Sequence, residues 1–251
     1  MCTLVVLRRP DHDWPLLVGA NRDEMRGRSW ERPGVHWPER PEVVGGLDEH
    51  GHGSWFAVNR YGLVAAVANR RGTLGPQEGR RSRGELVLEA LEHAEAERAA
   101  EALAELEPRA YRAFNLFVGG PTAAYWVAHR DEQGSDIEVR EVPEGLHMLT
   151  SGDLDDPTDH RINFNLPRFR EAEVPQPQEE NWDTWRTVLA DRGYPRGYPD
   201  AAMNLEENGF GTICSHLVAV PRYPGYGGGV HFLFAAGPPD RAPYEPIAVP
   251  Y

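Results

Sequence analysis

The second residue of the chain is a cysteine, and its place next to Met1 allows one residue to carry two catalytic groups. If processing removes Met1, Cys2 has both a thiol and a free α-amine. Nucleophilic catalysis needs a thiol or hydroxyl beside a base, and an α-amine with an ordinary pKa of about 7.7–8.0 can accept a proton near neutral pH. Cys2 could therefore supply nucleophile and base together; the alternative is that it only begins a strand.

A polar tetrapeptide follows the second apolar run of the sequence. Two β-branched and apolar runs, 2–7 and 16–20, flank a turn-forming segment rich in Pro and Asp, which predicts a β-hairpin. Directly after the second run come Asn21, Arg22, Asp23 and Glu24. We expect Arg22 to lie beside the start of the first strand, where its charge would lower the pKa of the thiol, and Asp23 to lie behind it and pair with Arg22 or with the cysteine.

The tetrapeptide and five further patches, in order along the chain, resemble the NRDE family. The patches are 53–55, 61–69, 82–87, 148–150 and 209–212. This family includes transport and Golgi organisation protein 2 and is similar to the N-terminal nucleophile hydrolases of the cholylglycine hydrolase type. The resemblance implies an α+β fold, a four-layer αββα sandwich in one domain over 1–251, with Cys2 at a strand start between the sheets.

The resemblance also implies which residues form the site. The catalytic residues would be Cys2, Arg22, Asp23 and Asn69. Asn69 would donate to the negative oxygen that forms when an amide or ester carbonyl is attacked, although an Asn at a strand end is also typical of a local turn. The residues expected at the ligand are Asn21, Glu24, Ser54, Trp55, Arg83 and Ser151.

Two positions depart from the hydrolase pattern. Ser151 stands where the hydrolases have Asn, and Ile213 stands where many relatives have Arg after Gly-Thr. His216 follows closely and could replace part of the lost charge, but it could equally be a core histidine. These departures predict weak or absent turnover.

Two functions remain open at this stage. One is a cysteine-dependent hydrolase of carbon–nitrogen bonds in non-peptide amides, which needs no cofactor. The other, implied by the resemblance, is a noncatalytic protein that binds haem, acyl-CoA or another lipid, with Arg side chains on the carboxylates or phosphates. Haem iron would also need an axial ligand, for which Cys2 or His52 is available.

Composition limits the partners. The formal net charge is −13, from 26 basic and 39 acidic residues, and every basic residue is Arg. This balance argues against nonspecific binding of nucleic acids or anionic membranes, and no stretch reaches the ~18 apolar residues of a spanning helix. The two cysteines form no disulfide framework. We expect a cytoplasmic protein with a small-molecule partner and leave its oligomeric state open.

Two local clusters have alternative interpretations. Arg70, Arg71, Arg80, Arg81 and Arg83 form the main basic concentration, which is either a solvated loop or the rim of a site for an anion. His50 and His52 lie in a Gly-rich loop without a third ligand at a clear spacing, so we expect no metal there.

The remaining pattern predicts the elements between these residues. We expect an irregular segment at 27–52, a hairpin from 54–58 and 63–68, and a helix over 83–107 that begins with a capping box from Ser82 to Glu85. Further strands are expected at 114–119, 123–129, 137–142, 146–150, 211–220 and 230–236, and helices near 157–171 and 181–192. The last two strands would flank a turn at 224–229, and the acidic 153–159 reads as a turn and helix start, not a calcium loop.

Overall fold

Two antiparallel sheets of seven strands each form the centre of the fold in the computed structural model, which describes residues 2–131, 136–224 and 229–250. The first sheet contains β1 (Thr3–Arg8), β2 (Leu16–Met25), β10 (Gly145–Leu149), β11 (Glu206–Glu207), β12 (Phe210–Val220), β13 (His231–Ala235) and β14 (Tyr244–Pro246). The second contains β3 (Trp30–Gly34), β4 (Val43–Asp48), β5 (Phe56–Asn59), β6 (Val64–Asn69), β7 (Phe114–Gly119), β8 (Ala124–His129) and β9 (Glu138–Glu141). The strand order is β10-β1-β2-β12-β13-β14 in the first sheet, with β11 beside β12, and β3 to β9 in chain order in the second.

Helices cover the outer face of each sheet. They are α1 (Gly84–Ala90), α2 (Ala96–Ala104), α3 (His160–Glu171) and α4 (Asp183–Ala190). Apolar residues of α1 and α2 pack on the second sheet, those of α3 and α4 pack on the first, and a third cluster fills the space between the sheets. The four-layer αββα sandwich is therefore confirmed. None of the helices in the described residues is long and apolar enough to cross a membrane.

Alternation along the first hairpin decides which side chains can reach the site. Successive residues of a strand point to opposite faces, so Leu4 and Val18 enter the core between the sheets while Val5 and Leu17 pack against the outer helices. β1 and β2 pair antiparallel, with Thr3 opposite Asn21. Cys2 immediately precedes β1 and has the parity of Leu4, which turns its side chain toward the second sheet.

The segment at 27–52 is more regular than expected. It contains β3 and β4, which pair with an irregularity in their register, and β4 pairs in turn with β5. Pro33 lies within β3, and a proline is tolerated there because β3 is the edge strand of its sheet. Val43 and Val44 of β4 are fully buried. The expectation of irregular structure was wrong because the prolines of this segment occupy the edge strand and the turns, while Gly45 and Gly46 are accommodated inside β4.

The expected helix over 83–107 is divided into α1 and α2. The buried Asn59 side chain donates hydrogen bonds to the carbonyls of Leu91 (3.0 Å) and His93 (2.8 Å), which are thereby withdrawn from a continuous helix. The predicted capping box is also absent, because Ser82 Oγ accepts from Gly84 N (3.3 Å) and α1 has no side-chain cap.

The other expected elements agree with the structure to within a few residues. The two hairpins, the four strands from β7 to β10, α3, α4, β12 and β13 all lie where the pattern placed them. Asp159 caps α3 by accepting from the amides of Arg161 and Ile162, as expected for the acidic segment. The turn predicted at 224–229 lies largely outside the described residues, since 225–228 are not among them.

Candidate functional site

Cys2 lies where two cavities meet. The larger has a volume of about 440 Å³, which is within the usual range of about 300–1,000 Å³ for ligand sites. The smaller has about 20 Å³, little more than one water molecule needs. Both are lined by Cys2, Arg22, Trp55 and Val67. A ligand that reaches the thiol must therefore occupy the larger cavity.

The smaller cavity is an apolar recess between the sheets. Leu4 and Ala20 of the first sheet and Phe56 of the second form part of its wall, together with His216. His216 is fully buried and accepts a hydrogen bond from Trp55 Nε1 (2.9 Å). Burial, reinforced by the charge of Arg22, lowers the pKa of His216 to about 3. The imidazole is therefore neutral at physiological pH and does not replace a missing arginine charge.

Arg22 places a buried positive charge beside Cys2. Its guanidinium lies over the Trp55 ring, 3.7 Å from the ring centroid, and its Nη2 is 3.7 Å from Asp48 Oδ2. The side chain is only 3% exposed. Its Nη1 is buried and has no hydrogen-bond partner within the described part of the chain. Arg22 therefore retains a donor for a ligand or for the thiol.

Asp23 is held on the opposite face of β2. Its Oδ2 accepts a hydrogen bond from Arg161 Nη1 and its Oδ1 accepts one from Thr212 Oγ1, each at 2.7 Å. Arg161 Nη1 also donates to Thr3 Oγ1 at 2.5 Å. Of the two partners expected for Asp23, Arg22 is therefore wrong, and a counterion of Asp23 is Arg161 of α3. No sequence motif identified Arg161. Its position among the apolar, buried residues of an amphipathic helix could have indicated a buried ion pair.

The two thiols differ in access but share a shift in pKa. Burial raises the pKa of Cys2 above its ordinary value, and the lowering by Arg22 does not offset it. The expectation of a thiol made acidic by Arg22 was therefore wrong. Burial also raises the pKa of Cys214, which is fully buried in β12, whereas Cys2 is partly exposed. Both cysteines are free.

Three of the expected site residues line the larger cavity in different ways. Asn69 ends β6, is half-buried, and has a side-chain amide without a hydrogen bond in the described part of the chain. Glu24 Oε2 lies 3.9 Å from Arg28 Nε. Ser54 is buried, and its hydroxyl lies 2.8 Å from the carbonyl oxygen of Gly46 and 2.9 Å from that of Phe56. Ser54 therefore fixes the loop before β5.

Two other expected ligand residues do not present their side chains to the larger cavity. Asn21 Nδ2 donates to the carbonyls of Leu189 and Met203, each at 2.9 Å, and so ties β2 to the outer helical layer. Ser151 is buried and lines neither cavity. Ile213, at the position of the missing arginine, packs against the core between the sheets.

Arginines dominate the larger cavity. Among the described residues its lining includes Arg22, Arg28, Arg80, Arg81, Arg83 and Arg112, with Asp23, Glu24 and Asp48 as the acidic members. Arg70 instead bonds Asn115 and Asp153, each at 2.6 Å, and Arg71 is exposed. Within the basic cluster, Arg80, Arg81 and Arg83 border the larger cavity, as expected for the rim of an anion site, whereas Arg70 and Arg71 do not.

The described residues offer no metal centre. They contain no group of three His, Cys, Asp or Glu that could hold a metal ion. His50 lies on the rim of the larger cavity, whereas His52, with a φ of 54°, does not line it. His52 is therefore poorly placed as an axial ligand for a haem in this cavity.

Comparisons with known proteins agree with this architecture. The family model described as Transport and Golgi organisation 2 matches residues 1–219. Among curated protein sequences, nothing matches. Among solved structures, an N-acylethanolamine-hydrolyzing acid amidase ortholog from Caenorhabditis elegans is similar, with a TM-score of 0.61 and 14% identity over 89% of this chain and 94% of that chain. A variant of conjugated bile acid hydrolase from Clostridium perfringens gives a TM-score of 0.52 and 12% identity over 98% and 96%. Both are N-terminal nucleophile hydrolases, and at such identities the likeness shows the fold.

Proposed function

Because this chain belongs to the Transport and Golgi organisation 2 family and has the fold of the N-terminal nucleophile hydrolases, we propose that it hydrolyses a carbon–nitrogen bond in a non-peptide amide. The observation that carries this proposal is the position of Cys2 at the junction of two cavities between the sheets. One structural neighbour is an amidase by name and the other hydrolyses conjugated bile acids by name. Those substrates belong to the neighbours and only suggest the bond type here.

The first half of the reaction forms a thioester on Cys2. Because burial raises the pKa of the thiol, most of it is protonated at neutral pH, and a base must remove its proton as the sulfur attacks. Removal of Met1 would create that base, the α-amine of Cys2. The sulfur bonds to the amide carbon, the carbon–nitrogen bond breaks, and the leaving amine takes the proton held by the α-amine.

The second half returns the enzyme to its starting state. Water attacks the thioester carbon and gives a proton to the α-amine. The carbon–sulfur bond breaks, the sulfur recovers a proton from the α-amine, and the carboxylic acid leaves. Each turnover therefore consumes one water and yields one amine and one acid, with no cofactor.

The charge that develops on the carbonyl oxygen needs donors in both halves. Asn69 lines the same cavity as Cys2 and has its side-chain amide free, so it can donate to that oxygen together with a backbone N–H. The unpaired Nη1 of Arg22 can donate to the sulfur or the oxygen. Removing one such donor typically costs about 2.7–4 kcal/mol of transition-state stabilisation. Asp23 supports the site through Arg161, which it holds against Thr3 next to Cys2.

The second candidate is noncatalytic binding of haem or acyl-CoA. The arginine-rich lining of the larger cavity favours it, because guanidinium groups bind carboxylates and phosphates in a bidentate manner. Axial ligation of haem iron by Cys2 would require the thiolate, which burial disfavours. The donor set thus suits the anionic groups of such ligands better than it suits the iron.

Kinetics with matched cysteine variants tests the proposal. We expect the processed chain to hydrolyse N-butyrylethanolamine slowly, since Ser151 and Ile213 replace polar groups of the hydrolase pattern. Cys2→Ala should abolish turnover, Cys2→Ser should retain a fraction, and Cys214→Ala should remain active because that thiol is buried away from the larger cavity. Equal rates for Cys2→Ala and the unmodified chain would contradict the proposed nucleophile.

A further inference from the structure

Three of the six arginines that line the larger cavity in the described residues are neutralised by carboxylates. Arg28 Nη2 lies 2.7 Å from Asp48, Arg80 Nη2 lies 3.2 Å from Asp131, and Arg81 Nη2 lies 2.6 Å from Glu85. These three cations have little charge left for a ligand. Of the other three, Arg22 lies 3.7 Å from Asp48, which already pairs with Arg28, whereas Arg83 and Arg112 have no carboxylate partner in the described residues.

Arg83 and Arg112 share a neutral acceptor in place of a carboxylate. Arg83 Nη2 donates to the Gly75 carbonyl at 3.2 Å, and Arg112 Nη1 donates to the same oxygen at 3.0 Å. Their other acceptors are the carbonyls of Ala113 and Leu74 and the hydroxyl of Thr73. Across the described part of the chain, neither guanidinium forms an ion pair with an acidic residue.

Two guanidinium groups on one carbonyl oxygen repel each other. Burial, together with the charge of Arg112, lowers the pKa of Arg83 to about 10, so Arg83 remains cationic at neutral pH. A guanidinium has five N–H donors. Both N–H groups of Arg83 Nη1 bond to protein acceptors, whereas Arg112 bonds to protein only through its Nη1, so its Nε and Nη2 donors are unused within the described chain. The half-buried side chains of Arg83 and Arg112 therefore retain N–H donors for a further acceptor.

The acidic members of the cavity have other partners and form no ion pair with Arg83 or Arg112 within the described residues. Asp23 is bound to Arg161, Asp48 is bound to Arg28, and Glu24 also lies beside Arg28. Arg22, which is 3% exposed, adds a buried Nη1 without a partner in the described chain. The cavity therefore has an excess of positive charge inside a protein whose net charge is −13.

We propose that Arg83 and Arg112 bind an oxyanion of the substrate, a carboxylate or a phosphate, so that the amide hydrolysed at Cys2 carries an anionic group. The amide part of this inference rests on the proposed function, and the anion site itself does not. Arg83, Arg112 and Cys2 line the same cavity. The recess beside Cys2 is too small for an acyl chain, so a short polar amide would span the larger cavity from the thiol to the arginines.

Calorimetry on the Cys2→Ala chain tests the anion site without turnover. The probes share one acyl group: N-butyrylglycine carries a carboxylate, N-butyrylphosphoethanolamine carries a phosphate, and N-butyrylethanolamine is neutral. We expect at least one anionic probe to bind tenfold or more tightly than the neutral one, and whichever binds more tightly identifies the oxyanion. Equal affinities for all three, or no binding of either anion, would overturn the inference.

Arginine variants locate the site. In the Cys2→Ala background, Arg112→Gln should weaken the anionic probe roughly tenfold to a hundredfold, as expected for loss of hydrogen bonds to a charged group. Arg109→Gln is the matched control, because Arg109 is exposed on the same segment and lines neither cavity. Arg83→Lys tests the second cation with the charge retained and should weaken binding less than Arg112→Gln. Equal effects of Arg112→Gln and Arg109→Gln would contradict the assignment.

The two hypotheses fail separately. Hydrolysis that depends on Cys2 but shows no preference for an anionic amide would leave the proposed function intact and overturn the anion site. Tight binding of an anionic probe, lost in Arg112→Gln, without any hydrolysis would support the anion site and overturn the hydrolase. In the active chain, the ratio of kcat/KM for the anionic and neutral amides should fall toward one in Arg112→Gln.

Discussion

The buried pair of Asp23 and Arg161 should make Asp23→Ala strongly destabilising. The two side chains are 0% and 3% exposed, and their 2.7 Å hydrogen bond joins β2 to α3 across the outer layer. Alanine at position 23 would leave the Arg161 guanidinium buried without this counterion. Loss of one member of a buried pair typically costs about 3–5 kcal/mol, which corresponds to roughly 6–20 °C in Tm at about 2–4 °C per kcal/mol.

A double-mutant cycle separates the pair from general damage to the fold. Equilibrium unfolding in urea should give a large loss for Asp23→Ala, and a smaller loss when Arg161→Met is added, because the uncompensated charge is then gone. Glu101→Ala is the surface control. Its partner Arg98 is 66% exposed and Glu101 is 58% exposed, so that substitution should cost about 0.5 kcal/mol or less. A free energy of unfolding for Asp23→Ala within about 1 kcal/mol of the unmodified chain would refute this reasoning.

Three further predictions follow from burial and close packing. Iodoacetamide should label Cys2 before Cys214, and the rate at Cys2 should increase from pH 7 to pH 9, since burial raises its thiol pKa and only the thiolate reacts. His216→Gln should make the stability of the fold less sensitive to acid. The pKa of His216 is lowered to about 3 in the folded chain, so at acid pH the unfolded chain binds a proton that the folded chain does not. The free energy of unfolding of the unmodified chain therefore falls as the pH drops from about 6.5 toward 3. Gly46→Ala should lower Tm and activity, because a Cβ there would lie 2.1 Å from the Trp55 ring.

Each of these predictions has its own control. Equal labelling rates for the two cysteines under native conditions would contradict the difference in their access. The acid effect is measured as the change in unfolding free energy between pH 7 and pH 4, and an identical change in His216→Gln would exclude the imidazole as its source. Gly27→Ala is the control for Gly46→Ala, because a Cβ at Gly27 meets nothing within 4 Å and should leave Tm unchanged.

Local patterns were enough to predict most of the elements. The hairpin of β1 and β2 follows from two apolar runs separated by a turn, and its alternation places Cys2 and Arg22 on the face toward the second sheet. β3 was missed because its proline is tolerated only through its position at the sheet edge, which the local sequence does not reveal. The break between α1 and α2 depends on Asn59, which lies more than thirty residues earlier in the chain.

The site was predictable only in part, for a similar reason. Cys2, Arg22 and Asn69, which lie before, within and at the end of a strand, were predictable from the sequence, and the structure brings all three to one cavity. The pair of Asp23 and Arg161 was not predictable, because Arg161 is 138 positions away and reaches Asp23 only after α3 packs on the first sheet. The charge of Arg83, which is unpaired among the described residues, could not be predicted from the sequence either, because it depends on which arginines pair with carboxylates in the folded chain.

Intact-mass spectrometry tests the role of Cys2 as an N-terminal nucleophile most directly. The purified chain should have the mass of residues 2–251, because only loss of Met1 frees the α-amine. Brief incubation with a reactive short-chain acyl amide, followed by an acid quench, should add one acyl group to that mass, and the adduct should be absent from Cys2→Ala. A chain that retains Met1 and acquires no acyl group at Cys2 would contradict the proposed mechanism.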